Sequence, residues 1–357
     1  MIRFLLHILL LFCYSNLFSQ NKETYFSAGV QAHYGFVIVH SEDVRSVENS
    51  FPIGLSVDLM RTTSSPSTWN QCKCFPTVGL SVTYWNFNSP DILGMAINSV
   101  FFVEPEFGIW QNLHFSFRAG LGFSYLTKPY DKVSNPDNLS YSTHVAFPLQ
   151  ASLFVNYRLK NQWTIKLGVD YNHISNGGLK EPNKGINYPT ASLGVNYYVH
   201  RPVPSVNPYK DIVNDFSLSP RMELYTFIAR KEIETNNHGA LWGFGGSAYW
   251  PISRINAVGG QLEVTHNIAQ QKRYENSGLE SAAWQLGIAA TNDFPLGKFY
   301  FSQSFGYYLL KLRSEDYDFY QRYVLTYAIQ KRLLIGVALR AHGHIADFLE
   351  LRLGWQW

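Results

Sequence analysis

The chain has 357 residues, of which 16% are aromatic and only 15% are charged, whereas about 25% of an ordinary soluble domain is charged. Its formal net charge of +3 is small and unclustered, which gives no support to nucleic-acid binding. After the N terminus, no stretch approaches the ~18 consecutive apolar residues of a membrane helix, so the sequence predicts no helical membrane span.

The N terminus has the layout of a secretory signal peptide. Arg3 precedes an apolar run from Phe4 to Phe12, and Leu17 and Ser19 suit positions −3 and −1 of a cleavage site. The apolar run is too short for a spanning helix of ~20 residues. We therefore predict that residues 1–19 direct export and are then removed.

Most of the remaining chain alternates between apolar and polar residues. In "LHFSFRAGLGFSY" (Leu113–Tyr125) every second residue is apolar, and the others are polar or small. Side chains of a strand point to opposite faces in turn, so such a strand has one apolar face. The alternation recurs in Val78–Tyr84, Leu167–Ser175 and Leu351–Trp357. About sixteen such segments of ~10 residues, separated by turn-forming residues, predict an all-β chain.

The length and aromatic content of these strands favour a membrane barrel. A soluble β-sandwich also alternates, but its strands are usually shorter than ~10 residues, and 23 Tyr, 25 Phe and 9 Trp concentrate toward strand ends here. A transmembrane barrel needs strands of ~9–11 residues and aromatic girdles at both interfaces. The chain also ends on Trp357, which resembles the terminal signal of bacterial outer-membrane barrels. We predict a transmembrane antiparallel β-barrel in the bacterial outer membrane, with a soluble secreted β-protein as the alternative.

Two segments of the sequence resemble each other. "KLGVDYNHISN" (Lys166–Asn176) aligns with "LIGVALRAHGH" (Leu334–His344), and a Leu-Gly strand follows each copy. This repeat predicts two halves of about eight strands, residues 20–200 and 219–357, joined by a Pro-rich linker at 201–218. The pattern does not decide how the halves close. We favour one barrel of about 14–16 strands, with two eight-stranded barrels as the alternative.

The first copy of the repeat carries a candidate catalytic pair. His173 and Ser175 continue the apolar face of Leu167–Tyr171, so we expect them on the lipid-facing side at the barrel rim. A histidine is the usual base for a serine nucleophile, and the two need a third, orienting group and oxyanion donors. Their Cβ atoms would lie ~6.5–7 Å apart, so a bend is expected at "SNGG". The second copy has Ala341 and Gly343 instead, so only the first half keeps the pair.

The segment "HISNGGLKEPNKGIN" resembles the signature of the outer-membrane lipid A 3-O-deacylases, which are eight-stranded barrel esterases that remove an acyl chain from lipid A. The matching positions are His173, Ser175, Asn176, Gly178, Pro182, Asn183 and Gly185. The resemblance implies that Ser175 is the nucleophile and His173 the base. It also implies that Asn176 and Asn183, or the backbone amides around them, are the oxyanion donors.

The sequence departs from this family at the third catalytic residue. The glutamate of the family falls on Asn187. An amide can hold a histidine in the required tautomer, but it cannot offset the charge of the imidazolium. The departure therefore predicts a slower enzyme, the use of Glu181 in place of Asn187, or an inactive homologue.

The resemblance implies ester hydrolysis without a metal or another cofactor, with lipid A or lipopolysaccharide as the substrate. The sequence shows no His, Cys and Asp cluster with metal-ligand spacing. We interpret Cys72 and Cys74 as incidental thiols, because a Cys-x-Cys pair closes only a strained disulfide. The rival function is a non-catalytic barrel, either a pore or a scaffold, because the polar residues predicted to face the lumen do not decide whether the interior is filled.

Overall fold

The computed structural model describes residues 24–65, 68–69, 74–108, 112–159, 162–199, 219–234, 237–343 and 345–357. The predicted signal peptide (1–19) and linker (201–218) lie outside the described residues, as does Cys72. Cys74 is disulfide-bonded, so its interpretation as a free thiol is wrong.

The first eight strands form a closed antiparallel barrel in which each strand pairs with the next and the last pairs with the first. A short 3-10 helix, Glu42–Val47, follows the first strand. The strands are β1 (Thr24–Gly35), β2 (Ile53–Thr63), β3 (Phe75–Asn86), β4 (Met95–Gly108), β5 (Leu113–Leu126), β6 (Val145–Arg158), β7 (Trp163–Ser175) and β8 (Ile186–Tyr198).

The next eight strands form a second closed barrel of the same kind. Helix α1 (Ile268–Asn276) lies between its third and fourth strands, and none of the described helices is long and apolar enough to span a membrane. The strands are β9 (Arg221–Glu234), β10 (Asn237–Ser253), β11 (Asn256–His266), β12 (Trp284–Leu296), β13 (Phe299–Leu310), β14 (Phe319–Ala328), β15 (Leu333–His342) and β16 (Ile345–Gln356).

Each half therefore closes on itself. Val30 of β1 faces Val195 of β8, and Ile228 of β9 faces Leu351 of β16. These pairings satisfy both edge strands within each half, so neither half needs hydrogen bonds from the other to close its sheet. The favoured single barrel of 14–16 strands is wrong, and the alternative of two eight-stranded barrels is confirmed.

The outer surface of both barrels is apolar. In β7, Leu167 and Val169 are 58% and 60% exposed, whereas the neighbouring Lys166 and Asp170 are buried inside the barrel. This arrangement is the reverse of a soluble protein and suits strands that face lipid. The prediction of a transmembrane antiparallel barrel is confirmed.

Ion pairs fill the interior of the first barrel. Arg118 donates to Asp58 and Glu104, each at 2.7 Å, and Lys166 Nζ donates to the same Glu104 at 2.7 Å. The guanidinium of Arg118 also lies 3.6 Å from the ring centre of Phe102. Charges away from water are tolerated only when they are paired, and these charges are. The network therefore forms the packed core of the first barrel.

The second barrel has an equivalent network made from other residues. Arg322 and Arg340 both contact Glu263 and Glu350, with 2.9 Å between Arg322 and Glu350. All four side chains are buried. Side chains therefore occupy the interiors of both barrels, which answers the question that the sequence left open about the lumen.

An apolar cluster closes one end of the first barrel. Its fully buried members include Trp85, Tyr141 and Tyr188 together with Ile174 at the end of β7 and Ile186 at the start of β8. Because side chains alternate along a strand, these two inward isoleucines direct their neighbours in sequence to the outer face. The cluster thus fixes the backbone at the end where the candidate site lies.

Candidate active site

His173 and Ser175 lie at the end of β7 on the outward face, as the alternation predicts. Their partners across the sheet are Leu149 and Phe147 of β6, and this register is regular through Ser175. The bend expected at "SNGG" comes directly after the strand, where Gly177 has a φ of +68°. Although Ser175 faces outward, it is only 5% exposed.

The imidazole of His173 is held by Asn187. The two residues face each other across β7 and β8, and His173 Nδ1 lies 2.7 Å from Asn187 Oδ1. Since an amide oxygen only accepts hydrogen bonds, Nδ1 carries the proton, and Nε2 of the neutral ring has its lone pair free. Among the described residues, Nε2 of His173 has no hydrogen-bond partner. The structure thus presents a histidine in the tautomer that a general base requires.

His40 supports the other side of the Asn187 amide. It lies in the loop after β1, where its Nδ1 is 3.1 Å from Asn187 Nδ2 and its Nε2 is 3.0 Å from the carbonyl oxygen of Lys184. When Nε2–H donates to that carbonyl, Nδ1 accepts from the amide nitrogen. Sequence reasoning missed His40, because nothing in its local sequence connects it to a strand 147 residues away.

Ser175 does not bond to His173 in this conformation. Its Oγ lies 3.4 Å from the backbone N of Gly177, and no hydrogen bond among the described residues joins it to the imidazole. The serine and the histidine nevertheless share one strand face, two residues apart, so a rotation of the Ser175 side chain would turn Oγ toward the ring.

Of the two candidate third residues, the structure brings Asn187 to His173. Glu181 is exposed, and its Oε2 accepts a hydrogen bond from the backbone N of Asn183 at 3.0 Å. No carboxylate meets Nδ1 of His173 among the residues that the structure describes. Across all of the residues that the structure describes, no group of three or more His, Cys, Asp or Glu side chains could hold a metal ion.

Asn176 and Asn183, the predicted oxyanion donors, hold the loop after β7 together. The side-chain nitrogen of Asn176 donates to the carbonyl oxygen of Lys180 at 2.6 Å and to Ser142 Oγ at 3.2 Å. Its backbone N donates to Asn183 Oδ1 at 2.8 Å. These N–H groups of Asn176 are thus committed within the loop, and the oxyanion role of both residues stays a prediction.

The predicted loop residues Gly178, Pro182 and Gly185 all lie in this segment, residues 176–185, which we call the site loop. Gly185 has a φ of +73°, and a Cβ atom placed there would lie 2.7 Å from Cε1 of His173. The backbone N of Gly185 donates to the carbonyl oxygen of Ser140 at 2.8 Å. Gly185 therefore lets the backbone pass directly beside the imidazole, where no larger residue fits.

The second barrel touches the site loop. Nε2 of His238 hydrogen-bonds to the carbonyl oxygen of Leu179. A Cβ atom on Gly178 would lie 2.7 Å from the carbonyl oxygen of Asp347. The loop that covers Ser175 is thus packed between the two barrels.

Comparisons with known proteins agree with the division of the chain into two barrels. Residues 54–196 match the family model described as "Lipid A 3-O-deacylase (PagL)", and residues 220–357 match "Acyloxyacyl hydrolase, C-terminal domain". The crystal structure of the outer membrane enzyme PagL is 16% identical, covering 46% of this chain and 97% of that chain with a TM-score of 0.33. Neisserial surface protein A is 12% identical, covering 49% of this chain and 96% of that chain with a TM-score of 0.32. No curated protein matches the sequence. The two family models confirm the resemblance carried by residues 173–187: the first barrel belongs to the lipid A 3-O-deacylase family, and the second barrel matches the C-terminal domain of acyloxyacyl hydrolases.

Proposed function

We propose that the protein is an outer-membrane serine esterase that removes an ester-linked acyl chain from lipid A. The observation that carries this proposal is the 2.7 Å contact between His173 Nδ1 and Asn187 Oδ1, on the strand face that also bears Ser175. It leaves Nε2 of His173 ready to accept a proton. The lipid-facing position lets an acyl chain of the outer leaflet approach the serine from the side, without entering the barrel.

The chemistry follows the usual order for a serine esterase. Ser175 Oγ turns toward His173, passes its proton to Nε2 and attacks the ester carbonyl. The tetrahedral intermediate collapses, and the imidazolium returns the proton to the departing sugar oxygen. Water then repeats both steps on the acyl-enzyme, which releases the fatty acid and restores Ser175.

The oxyanion donor in this proposal is the backbone N–H of Gly177. It lies 3.4 Å from Ser175 Oγ, and it becomes available when the hydroxyl turns away. The N–H of Asn176, the next residue after the nucleophile, is held by Asn183. Asn176 and Asn183 then contribute by fixing the backbone that presents Gly177, because a preorganised donor stabilises developing charge best.

Asn187 and His40 orient the base. Asn187 selects the tautomer of His173, and His40 fixes which end of the Asn187 amide faces it. Because the amide is uncharged, it stabilises the imidazolium less than a carboxylate does. We therefore expect a modest rate of ester hydrolysis. The proposed function also includes export by a cleaved signal peptide and a role in modifying lipopolysaccharide.

The packed interiors count against the rival function of a pore. Buried ion pairs such as Lys166 with Glu104, and Arg340 with Glu263, join strands that are not neighbours and so cross the lumen of each barrel. A conducting channel needs a continuous water path in place of such contacts. In planar bilayers we expect the protein to show no stable conductance.

Mass spectrometry of lipid A tests the proposed esterase. Cells that express the wild type should lose one hydroxyacyl mass, and cells that express Ser175→Ala at equal barrel levels should not. The wild type and the Ser175→Ala variant should assemble equally well, since serine and alanine are close in size. Identical lipid A spectra from both would refute deacylation of lipid A by Ser175.

A further inference from the structure

A cleft of about 530 Å³ lies between the two barrels beside Ser175. From the first barrel it is lined by Phe147 and by Gly177 and Leu179 of the site loop. The second barrel lines the other side with residues of β9, β10 and β16, chiefly Ile228, Leu349 and Leu351. The cleft is therefore an apolar space that neither barrel forms alone.

The cleft is continuous with the candidate active site. Phe147 is the direct partner of Ser175 across β6 and β7, and such partners on one face have Cβ atoms ~4.5–5.5 Å apart. Gly177, another wall residue, has its backbone N 3.4 Å from Ser175 Oγ. A group that occupies the cleft next to Phe147 is thus within one side-chain length of the nucleophile.

The wall from the second barrel suits a hydrocarbon chain. Ile228 and Leu351 face each other in register and are 56% and 61% exposed on the lipid-facing surface. A lipid chain gains little hydrophobic energy by moving from bilayer to protein, because both are apolar. The cleft would instead act by holding the chain in one orientation, which raises the rate when the ester is placed near the nucleophile.

A single cation lies at the edge of this wall. Arg230 is an exposed cleft residue two positions from Ile228 on β9, and among the described residues no ion pair includes it. A guanidinium binds phosphate oxygens with charge-assisted hydrogen bonds. An apolar cleft with a free arginine at its edge matches a phosphorylated glycolipid, with the acyl chain in the cleft and the phosphate at Arg230.

We propose that this cleft binds the acyl chain of a phosphorylated glycolipid, so that the second barrel supplies part of the substrate site. This proposal rests on the esterase function proposed above. It gives the second barrel, which lacks a serine at the position of Ser175, a direct part in the reaction.

The first test fills the cleft. The full chain in phospholipid vesicles is assayed with a long-chain glycolipid ester and with p-nitrophenyl acetate, which is too short to reach the second barrel. Leu351→Trp should lower kcat/KM for the long-chain ester by about tenfold, because a chain that is kept out of the cleft no longer holds its ester in one orientation beside the nucleophile. The acetate rate should be unchanged. Leu353→Trp is the matched control, because Leu353 is the next outward residue of β16 and does not line the cleft; it should change neither rate.

The second test removes the cation. Arg230→Gln should lower kcat/KM for the phosphorylated glycolipid by about tenfold and leave the dephosphorylated ester unaffected. Arg61→Gln, at an exposed arginine of β2, is the control and should change neither rate.

The outcomes separate the two proposals. If wild-type protein hydrolyses neither long nor short esters, the proposed esterase fails. If the wild type is active and Leu351→Trp behaves like Leu353→Trp on the long-chain ester, the cleft proposal alone is overturned. Should Leu351→Trp not assemble, Ile228→Trp at the facing position probes the same wall, with the same expected loss for the long-chain ester.

Discussion

The two barrels place similar residues between their seventh and eighth strands. In the first barrel, His173 of β7 meets Asn187 of β8 at 2.7 Å. In the second, His342 of β15 lies 3.6 Å from Asp347 of β16. Asn187 and Asp347 occupy equivalent positions, since each lies six residues before the Leu-Gly of its strand. Both barrels therefore have a histidine beside an amide or a carboxylate, and this pair alone does not make a catalytic site.

The difference lies in the second ring nitrogen and in the serine. Nε2 of His342 hydrogen-bonds to the hydroxyl of Tyr308 at 3.1 Å, so both of its ring nitrogens face polar partners. Nε2 of His173 has none among the described residues, and Ser175 follows two positions later. Gly343 stands where the repeat would place the serine. A histidine can act as a base only if one nitrogen is free to take a proton, and of these two histidines only His173 meets that condition.

The largest effect is expected from removing each histidine in turn. His173→Ala should lower the deacylation rate by about 10³-fold, as expected when a general base is lost. His342→Ala should leave the rate within about twofold, because the hydrogen bond of His342 to Tyr308 and its contact with Asp347 both lie within the second barrel. The measurement is the rate of fatty acid release by each variant in vesicles, after heat-modifiable gel mobility shows that both barrels are folded. Equal losses of deacylation rate in the two variants would show that the role assigned to one of the two histidines is wrong.

A glycine in each barrel provides the next contrast. Gly185 and Gly343 both have positive φ, but only a Cβ at Gly185 meets the imidazole of His173, whereas nothing lies within 4 Å of one at Gly343. Gly185→Ala should reduce the rate by about 10²-fold, because displacing a catalytic group by about 1 Å costs that much. Gly343→Ala carries the backbone strain without the collision, so activity should be retained. The rates of the two variants, measured at equal folded protein, would expose strain as the common cause if both fell together.

The strand pattern could be predicted from the sequence because alternation is a local property. It placed Leu167 and Val169 on the outer face and carried His173 and Ser175 with them. Barrel closure is not local, since it depends on whether β8 returns to β1 or continues to β9. Both arrangements bury the same alternating faces, so the sequence could not separate one barrel from two.

The candidate site shows the same division between local and distant contacts. The register of β7 and β8 brings Asn187 opposite His173, within reach of sequence reasoning. His40 comes from a loop whose position depends on the fold of the whole first barrel. The cleft depends on the second barrel, and no pattern in β9 or β16 distinguishes Ile228 from its other outward residues. Asn176, in turn, was assigned to the oxyanion from the family signature, yet its donors bond to Ser142 and Lys180.

One substitution can give the first barrel the acidic residue that the second barrel has at this position. Asn187→Asp places a carboxylate at the position of Asp347, beside a histidine whose Nε2 is free. The negative charge stabilises the imidazolium that forms in the transition state, so the rate should rise by about tenfold. The gain should appear in kcat, since the substituted residue does not touch the substrate. A fall in kcat would show that the amide is required as it stands, and that the site does not work through a protonated His173.

The smallest effect is expected at His40, which has no counterpart in the second barrel's pair. His40→Ala removes the acceptor that fixes the Asn187 amide, and the loss of one hydrogen bond of about 1 kcal/mol corresponds to about a fivefold lower rate. His40→Gln retains an acceptor and should restore part of the rate.

The decisive measurement is a double-mutant cycle with Asn187→Asp. A carboxylate presents an oxygen to His173 in either orientation, so it does not need His40 to align it. His40→Ala should therefore cost about fivefold beside Asn187 and nearly nothing beside Asp, which makes the two changes non-additive. If the cost is the same in both backgrounds, His40 acts by holding the carbonyl oxygen of Lys184 and the site loop, and the orientation of the amide depends on the strand pairing of β7 with β8.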